Sequence, residues 1–170
     1  MNSRTIEHQN TTIRIGFGYD IHRLVKGKPL YLGGVKIKFK KGMLAHSDGD
    51  VLLHAICDSL LGAAGLGDIG IHFPNSDKKF KNISSLILLE KTHNLIKKLG
   101  YKIENIDSMV IAEQPKISSY IENMKSKISK ILKTKNISIK ATTNEGVGNI
   151  GKGKAICAYA VCIIKNGKYD

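Results

Sequence analysis

The apolar positions of the chain fall into short runs and helical stripes. "TIRIGFGY" (12–19) and "LYLGGVKIKF" (30–39) have strand character and flank a turn-rich stretch containing "KGKP", which predicts a pair of strands. In "SDGDVLLHAICDSLLGAAG", Leu52, Leu53, Ile56, Leu60 and Leu61 give a helix its apolar face, with Ser47 or Asp48 placed to cap it. Gly65 and Gly67 end that helix. A loop, "LGDIGIHFPNSD", leads to a second helix over about 84–99, closed by Gly100. "NIDSMVIAE" (105–113) predicts a strand that Pro115 breaks. From Ser118 onward Ile121, Met124, Ile128 and Ile131 recur at helical spacing, and "ISIKATTN" and "AICAYAVCIIK" predict the last two strands. The order β-β-α-α-β-α-β-β implies an α+β fold: a single mixed sheet with helices on one face, the other face left for something else to cover, sister subunits among the candidates. Residues 13–170 read as one domain without repeat or linker. Residues 1–12 read as a disordered leader or a cut junction.

Length and composition narrow the classes. A chain of 170 residues can bury a real core without staples. Its three cysteines, Cys57, Cys157 and Cys162, sit among Ala, Ile and Val, which predicts buried thiols in a reducing compartment. The longest apolar runs are too short to cross a bilayer, so no membrane association is expected. The formal charge of +13 invites a nucleic-acid reading. Against it, the positive residues are 24 lysines and only 3 arginines, scattered along the chain, with no Trp for base stacking. A solvated lysine surface is the better reading, and small anionic substrates remain compatible with it.

Chemistry enters with "GFGYDIHRL" (16–24). In an extended chain, side chains at i and i+2 leave from one face, so Asp20 and His22 can reach one ion. A turn aspartate beside an incidental histidine is the plain alternative. The natural third ligand is His54, on the first helix, which would complete the three-ligand pattern of a catalytic zinc with one position open. Asp58, one turn away, could orient the outer nitrogen of His54. A surface ion pair is the rival reading. "KATTNEGVGNIGKG" (140–153) sets Thr142, Thr143 and Glu145 at a strand end before several glycines, a composition able to cradle phosphate oxygens and a hard ion such as Mg²⁺. "AEQPKIS" (112–118) can supply main-chain groups to a base, or be a plain turn.

"RIGFGYDIHRL", "LGGVKI", "LAHSDGDVLLHAICDSLLGAAGLGDIG", "FPNSD", "EQPKI" and "IKATTNEGVG" occur in the order and at the spacings of the 2-C-methyl-D-erythritol 2,4-cyclodiphosphate synthase family. The chain resembles that family from about residue 13 to 165. The resemblance implies an α+β homotrimer whose sheets face the threefold axis and whose active sites lie between subunits. It implies a lyase of the non-mevalonate isoprenoid pathway, in which the 2-phosphate of a cytidyl diphosphate substrate attacks its own β-phosphate and expels CMP. By the same carry-over, Asp20, His22 and His54 hold zinc and Glu145 holds a second divalent ion, Mg²⁺ or Mn²⁺. His46 and Thr143 are the transition-state stabilisers and Ser47 touches phosphate. Asp68, Ile69 and Gly70 hold the methylerythritol, with the Phe73–Asp77 loop closing over it. Ala112 to Ser118, including Pro115, Lys116 and Ile117, receive cytidine and its phosphate together with Thr142 and Thr143, and Lys152 joins the substrate contacts. The compartment implied is a bacterial cytoplasm or a plastid-type organelle.

The chain departs from the family pattern at Asn75, Ser76 and Asn144, which leave Asp77 and Glu145 in place. In "GNIGKGK", Asn149, Ile150, Lys152 and Lys154 change the cavity along the threefold axis, where the two lysines are expected either to gather an anion such as phosphate, sulfate or diphosphate or to splay outward into solvent. Two rivals remain at this stage: a zinc phosphohydrolase using metal-bound water, and a basic nucleotide- or isoprenoid-binding module without turnover.

Overall fold

A computed structural model describes residues 11–166. The expected leader therefore lies mostly outside the described residues, as do positions 167–170. β1 (Ile13–Lys26) is followed by β2 (Leu30–Leu32), β3 (Val35–Ile37) and β4 (Lys41–Met43). Then come α1 (Val51–Ala64), the short α2 (Ile69–His72) and α3 (Ser85–Lys98). β5 (Tyr101–Ile111), α4 (Ile121–Leu132), β6 (Ile137–Thr142), the short α5 (Gly148–Gly151) and β7 (Ala155–Asn166) complete the order. Five strands form one mixed sheet, β4-β1-β7-β5-β6, in which only β5 and β6 run parallel. The fold is the α+β arrangement expected, with α1 and α3 layered on the sheet.

Three local expectations change. The run at 30–39 is not one strand but a hairpin, β2 with β3, turning at Gly33 and Gly34, whose φ of 57° and 73° only glycine adopts at low cost. The helix cap is Asp50 and neither Ser47 nor Asp48: the Asp50 carboxylate accepts the Leu53 amide and, across the fold, those of Gly33 and Gly34. Once buried, a carboxylate surrounded by three N–H donors outcompetes its neighbours for the cap. β1 also runs seven residues past Tyr19, to Lys26, because Ile13 to Arg23 pair with β7 and Leu24 to Lys26 with β4.

That extension puts the chemistry in place. Along β1 the even positions face the helix layer, and Gly16 and Gly18 are two of them. A Cβ there would stand 1.8 Å from the Ser59 carbonyl oxygen and 2.0 Å from that of Ala55, so α1 lies directly on the bare backbone of β1. Every residue of α1 except Asp58 and Gly62 is buried, as a helix sandwiched between sheet and α3 must be. Leu52, Leu53, Ile56 and Leu60 join Leu89, Ile96, Ile106, Met124, Ile128 and Ile156 in one core. The three cysteines are buried free thiols, and burial pushes Cys57 up to about 12, which makes it an inert core residue.

The odd positions of β1 behave differently. Ile13, Ile15, Phe17, Tyr19 and Ile21 point away from the helices, beside Tyr159 and Val161 of β7, and all are exposed. One sheet face is therefore apolar and bare in the single chain. Among the described residues no helix is long and apolar enough to cross a membrane.

Candidate active site

Continuing along the helix-facing side of β1, the two residues after Gly16 and Gly18 are Asp20 and His22. The glycines bring α1 close enough that His54, a turn before Ser59, arrives beside them. Asp20 Oδ2 lies 2.7 Å from His54 Nδ1 and 3.2 Å from His22 Nε2. The imidazoles meet edge to face with centroids 5.5 Å apart. One donor atom from each of the three residues falls within 4.8 Å of the others. His22 Nε2 is buried and makes no hydrogen bond, although it stands 3.2 Å from Asp20 Oδ2. A buried ring nitrogen without a partner costs free energy unless something takes its lone pair. Two imidazoles and a carboxylate converging on one point fit a zinc-type ion with an open fourth position.

The electrostatics agree. Burial alone would raise the Asp20 carboxyl, but its hydrogen bond with His54 and the charge of both imidazoles hold it well below the usual carboxylate range. Burial would lower His54, and the Asp20 carboxylate outweighs it, leaving His54 raised. Asp20 is thus held in the ionised form that a ligand set needs, whereas His54 holds its proton more tightly beside Asp20, and an incoming ion would have to displace that proton.

The cluster opens on a cavity of about 200 Å³ whose wall includes His46, Ser47, Asp58, Ile69, Gly70, Phe73 and Asn75. His46 and Ser47 arrive on the loop after β4, fixed where the Asn82 amide donates to the His46 carbonyl at 2.8 Å. His46 Nε2 is a second buried ring nitrogen without a protein partner. Asp68 caps α2 by accepting the Ile71 amide, so Ile69 and Gly70, not its own carboxylate, form the wall. Asp77 also faces elsewhere: it caps a short turn at Lys78–Phe80 and pairs with Lys79 at 2.6 Å. The loop it ends reaches the cavity through Phe73 and Asn75.

Asp58 does not orient His54. Its Oδ1 accepts the Ile69 amide at 2.7 Å, steadying the α2 turn at the cavity wall. The outer nitrogen of His54 faces Ser85 Oγ at 2.9 Å and Ser47 Oγ at 3.2 Å instead. Spacing along one helix suggested Asp58; Ser85 is 31 residues away, and no local pattern marks it.

The remaining expected residues form a second group. Thr142 ends β6, and the Ala112 amide donates to its carbonyl at 3.0 Å, so 112–118 and 142–145 adjoin. Thr143 donates its hydroxyl to Glu145, and both are exposed. Glu113, which the sequence did not single out, binds the loops together by accepting the amides of Asn144 at 2.7 Å and Gly146 at 3.4 Å. Pro115 follows a cis peptide bond, Lys116 and Ser118 are exposed, and Ile117 is buried in the core. Only the backbone of Ile117 can serve a ligand.

Register gives the distance between the groups. Ile21 pairs with Cys157, Cys157 with Ile111, and Ile111 with Thr142, which is three strand spacings, about 14 Å. None of 112–118 or 142–145 lines the cavity. A separate hollow of about 590 Å³ lies against Arg23, Asn149 and Lys154, and Lys152 is not in its wall.

An α+β fold with a three-donor histidine and aspartate cluster in the wall of a cavity defines a class of enzymes built around a candidate metal centre. The chain belongs to the YgbB family, whose model matches residues 13–165. It is 58% identical over 154 residues to a 2-C-methyl-D-erythritol 2,4-cyclodiphosphate synthase of Clostridium botulinum, covering 89% of this chain and 99% of that one. It is similar to the bifunctional IspDF from Campylobacter jejuni, with a TM-score of 0.89 and 40% identity over 92% of this chain and 43% of that chain. It is also similar to a CDP complex of IspF from Plasmodium falciparum, with a TM-score of 0.78 and 44% identity over 89% of this chain and 95% of that one.

Proposed function

We propose that this chain converts 4-diphosphocytidyl-2-C-methyl-D-erythritol 2-phosphate to 2-C-methyl-D-erythritol 2,4-cyclodiphosphate and CMP. The observation that carries the reading is the convergence of Asp20, His22 and His54 at a cavity that also presents His46 and Ser47. In the reaction an oxygen of the 2-phosphate forms a bond to the β-phosphorus as the bond from that phosphorus to the bridging oxygen of CMP breaks. The nucleophile is already anionic at neutral pH, so no residue needs to remove a proton. What the protein must supply is orientation, worth roughly 7–11 kcal/mol for a well-placed intramolecular reaction, and neutralisation of phosphate charge.

The chain's residues divide that work. Zinc is the proposed ion for Asp20, His22 and His54, and when bound it supplies Lewis-acid polarisation of a phosphate oxygen. His46 and Ser47 hydrogen-bond phosphate oxygens, and Ile69 and Gly70 present main-chain groups to the methylerythritol with Asp68 at the rim. Ala112 to Ser118 and Thr142 receive cytidine and its phosphate, Thr143 steadies the transferring phosphate, and Glu145 offers its carboxylate to a second divalent ion, Mg²⁺ or Mn²⁺. The 14 Å between the groups is too far for one compact site within a chain. A homotrimer, closing its bare apolar sheet faces around the threefold axis and bringing Thr143 of one subunit to His54 of the next, meets both needs. An anion on that axis would lie against Arg23 and Lys154. CMP release from the cytidyl substrate, abolished by a chelator and restored by zinc with Mg²⁺, is the expected result; release unaffected by the chelator would contradict the metal-dependent reading.

A further inference from the structure

We propose that Ser85 and Asp48 form a hydrogen-bond relay that fixes the tautomer of His54, and with it the strength with which the cluster holds its metal. The inference rests on the metal reading of Asp20, His22 and His54. Its ground is the direction in which each hydrogen bond must run. The Asp48 carboxylate has only acceptors. Its Oδ2 accepts the Ser85 amide at 2.9 Å and its Oδ1 accepts the Asp50 amide at 3.3 Å, which holds the carboxylate in place. The Ser85 hydroxyl lies against the same Oδ1, so its proton is committed to Asp48.

The lone pairs of Ser85 Oγ are then what His54 Nε2 meets at 2.9 Å. Nε2 must therefore carry a proton and donate it, so the proton that Nδ1 shares with Asp20 is the one given up to a metal, and in the neutral ring the lone pair is on Nδ1. Nδ1 is the atom 2.7 Å from Asp20 Oδ2, on the side where the three donors converge. Ser47 does not impose this order. Its Oγ is 3.2 Å from the same nitrogen and accepts the Gly49 amide at 3.1 Å, but no acceptor fixes its hydroxyl proton. Ser85 is wholly buried at the first turn of α3 and Asp48 is anchored at both oxygens, so the relay is rigid where Ser47 is free to rotate. A carboxylate behind a ligating imidazole, here acting through a hydroxyl, both orients the ring and raises its basicity. Ser85 and Asp48 are positioning residues that touch neither substrate nor metal.

The test loads metal-free protein with zinc in competition with a chromophoric chelator, comparing wild type with Ser85→Ala, Asp48→Asn and Ser84→Ala. Removing the relay hydroxyl is expected to weaken zinc binding roughly 10- to 100-fold, with Asp48→Asn weakening it less. Ser84→Ala, which alters the start of the same helix without touching His54, keeps wild-type affinity. Nitrogen-15 NMR of the zinc-loaded histidines supplies a second readout: the Nε2–H form of His54 with a slowly exchanging proton in wild type, and fast exchange in Ser85→Ala. Affinity in Ser85→Ala within about twofold of wild type, or an Nδ1–H form in wild type, would overturn the relay. Should Ser85→Ala fail to fold, Asp48→Asn decides, and unchanged affinity there overturns it. Failure of wild type to bind zinc through the cluster would overturn the metal reading and the relay with it, whereas binding retained in the variants overturns the relay alone.

Discussion

Gly18 of β1 lies under Ala55 of α1 so closely that a Cβ at position 18 would stand 2.0 Å from the Ala55 carbonyl oxygen. The contact is between backbones, so no side chain can swing aside to make room. Gly18→Ala should therefore push α1 off the sheet, costing roughly 1–3 kcal/mol in urea denaturation. Because His54 rides on α1 and Asp20 on β1, the same substitution should weaken zinc binding. Unchanged stability and affinity would show that α1 tolerates the shift and that the glycines do not set the cluster's geometry.

The proposed division of the site between subunits predicts complementation. His54→Ala and Glu145→Gln should each be nearly inactive alone, the first for want of an imidazole ligand and the second because an amide is a poor ligand for a hard dication. In a threefold ring where each site takes His54 from one subunit and Glu145 from the next, every mixed trimer regains one intact site. Subunit exchange at equal amounts should then restore roughly a quarter of wild-type CMP release. No recovery after verified exchange would place both groups in the same chain's site.

Much of this was legible in the chain because it depends on short periods. Asp20 and His22 are two apart on an extended strand, and His54 sits on a helix whose apolar residues are unmistakable. The pairing of α1 with β1 is written in Gly16 and Gly18, although their meaning emerges only once the helix is seen lying on them. What was not legible depends on long separations or on local competition. Ser85 meets His54 across 31 residues, and Glu113 meets Asn144 across the same number, so neither leaves a spacing pattern. Ser47, Asp48 and Asp50 are all chemically competent caps, and the burial that selects Asp50 comes from the Gly33–Gly34 hairpin.

Asp50 also carries a pH signature. Complete burial pushes its carboxyl up to about 6 despite the three amides that favour the ionised form, against 3.8 for an ordinary aspartate. A carboxyl raised in the folded state contributes stability that is fully present below 3.8 and is lost as pH rises through about 6. The stability advantage of wild type over Asp50→Asn should thus narrow from pH 4 to pH 7 by roughly 1–3 kcal/mol. Urea denaturation of both proteins at the two pH values measures it, and a widening gap would contradict the assignment.

Lys154 lines the hollow beside Arg23, and Lys152 does not. With CMP saturating the catalytic pocket, pyrophosphate should raise the melting temperature of wild type and of Lys152→Ala by mass action, and that of Lys154→Ala much less. Equal shifts in all three proteins would remove the axial anion.

The most direct measurement is phosphorus-31 NMR of the wild-type protein acting on 4-diphosphocytidyl-2-C-methyl-D-erythritol 2-phosphate with zinc and Mg²⁺. Intramolecular attack predicts the two mutually coupled signals of a cyclic diphosphate, growing in step with one CMP, and no oxygen from labelled water in the ring product. CMP accompanied by linear methylerythritol bisphosphate carrying the water label, with no cyclic species, would mean hydrolysis and would contradict the account.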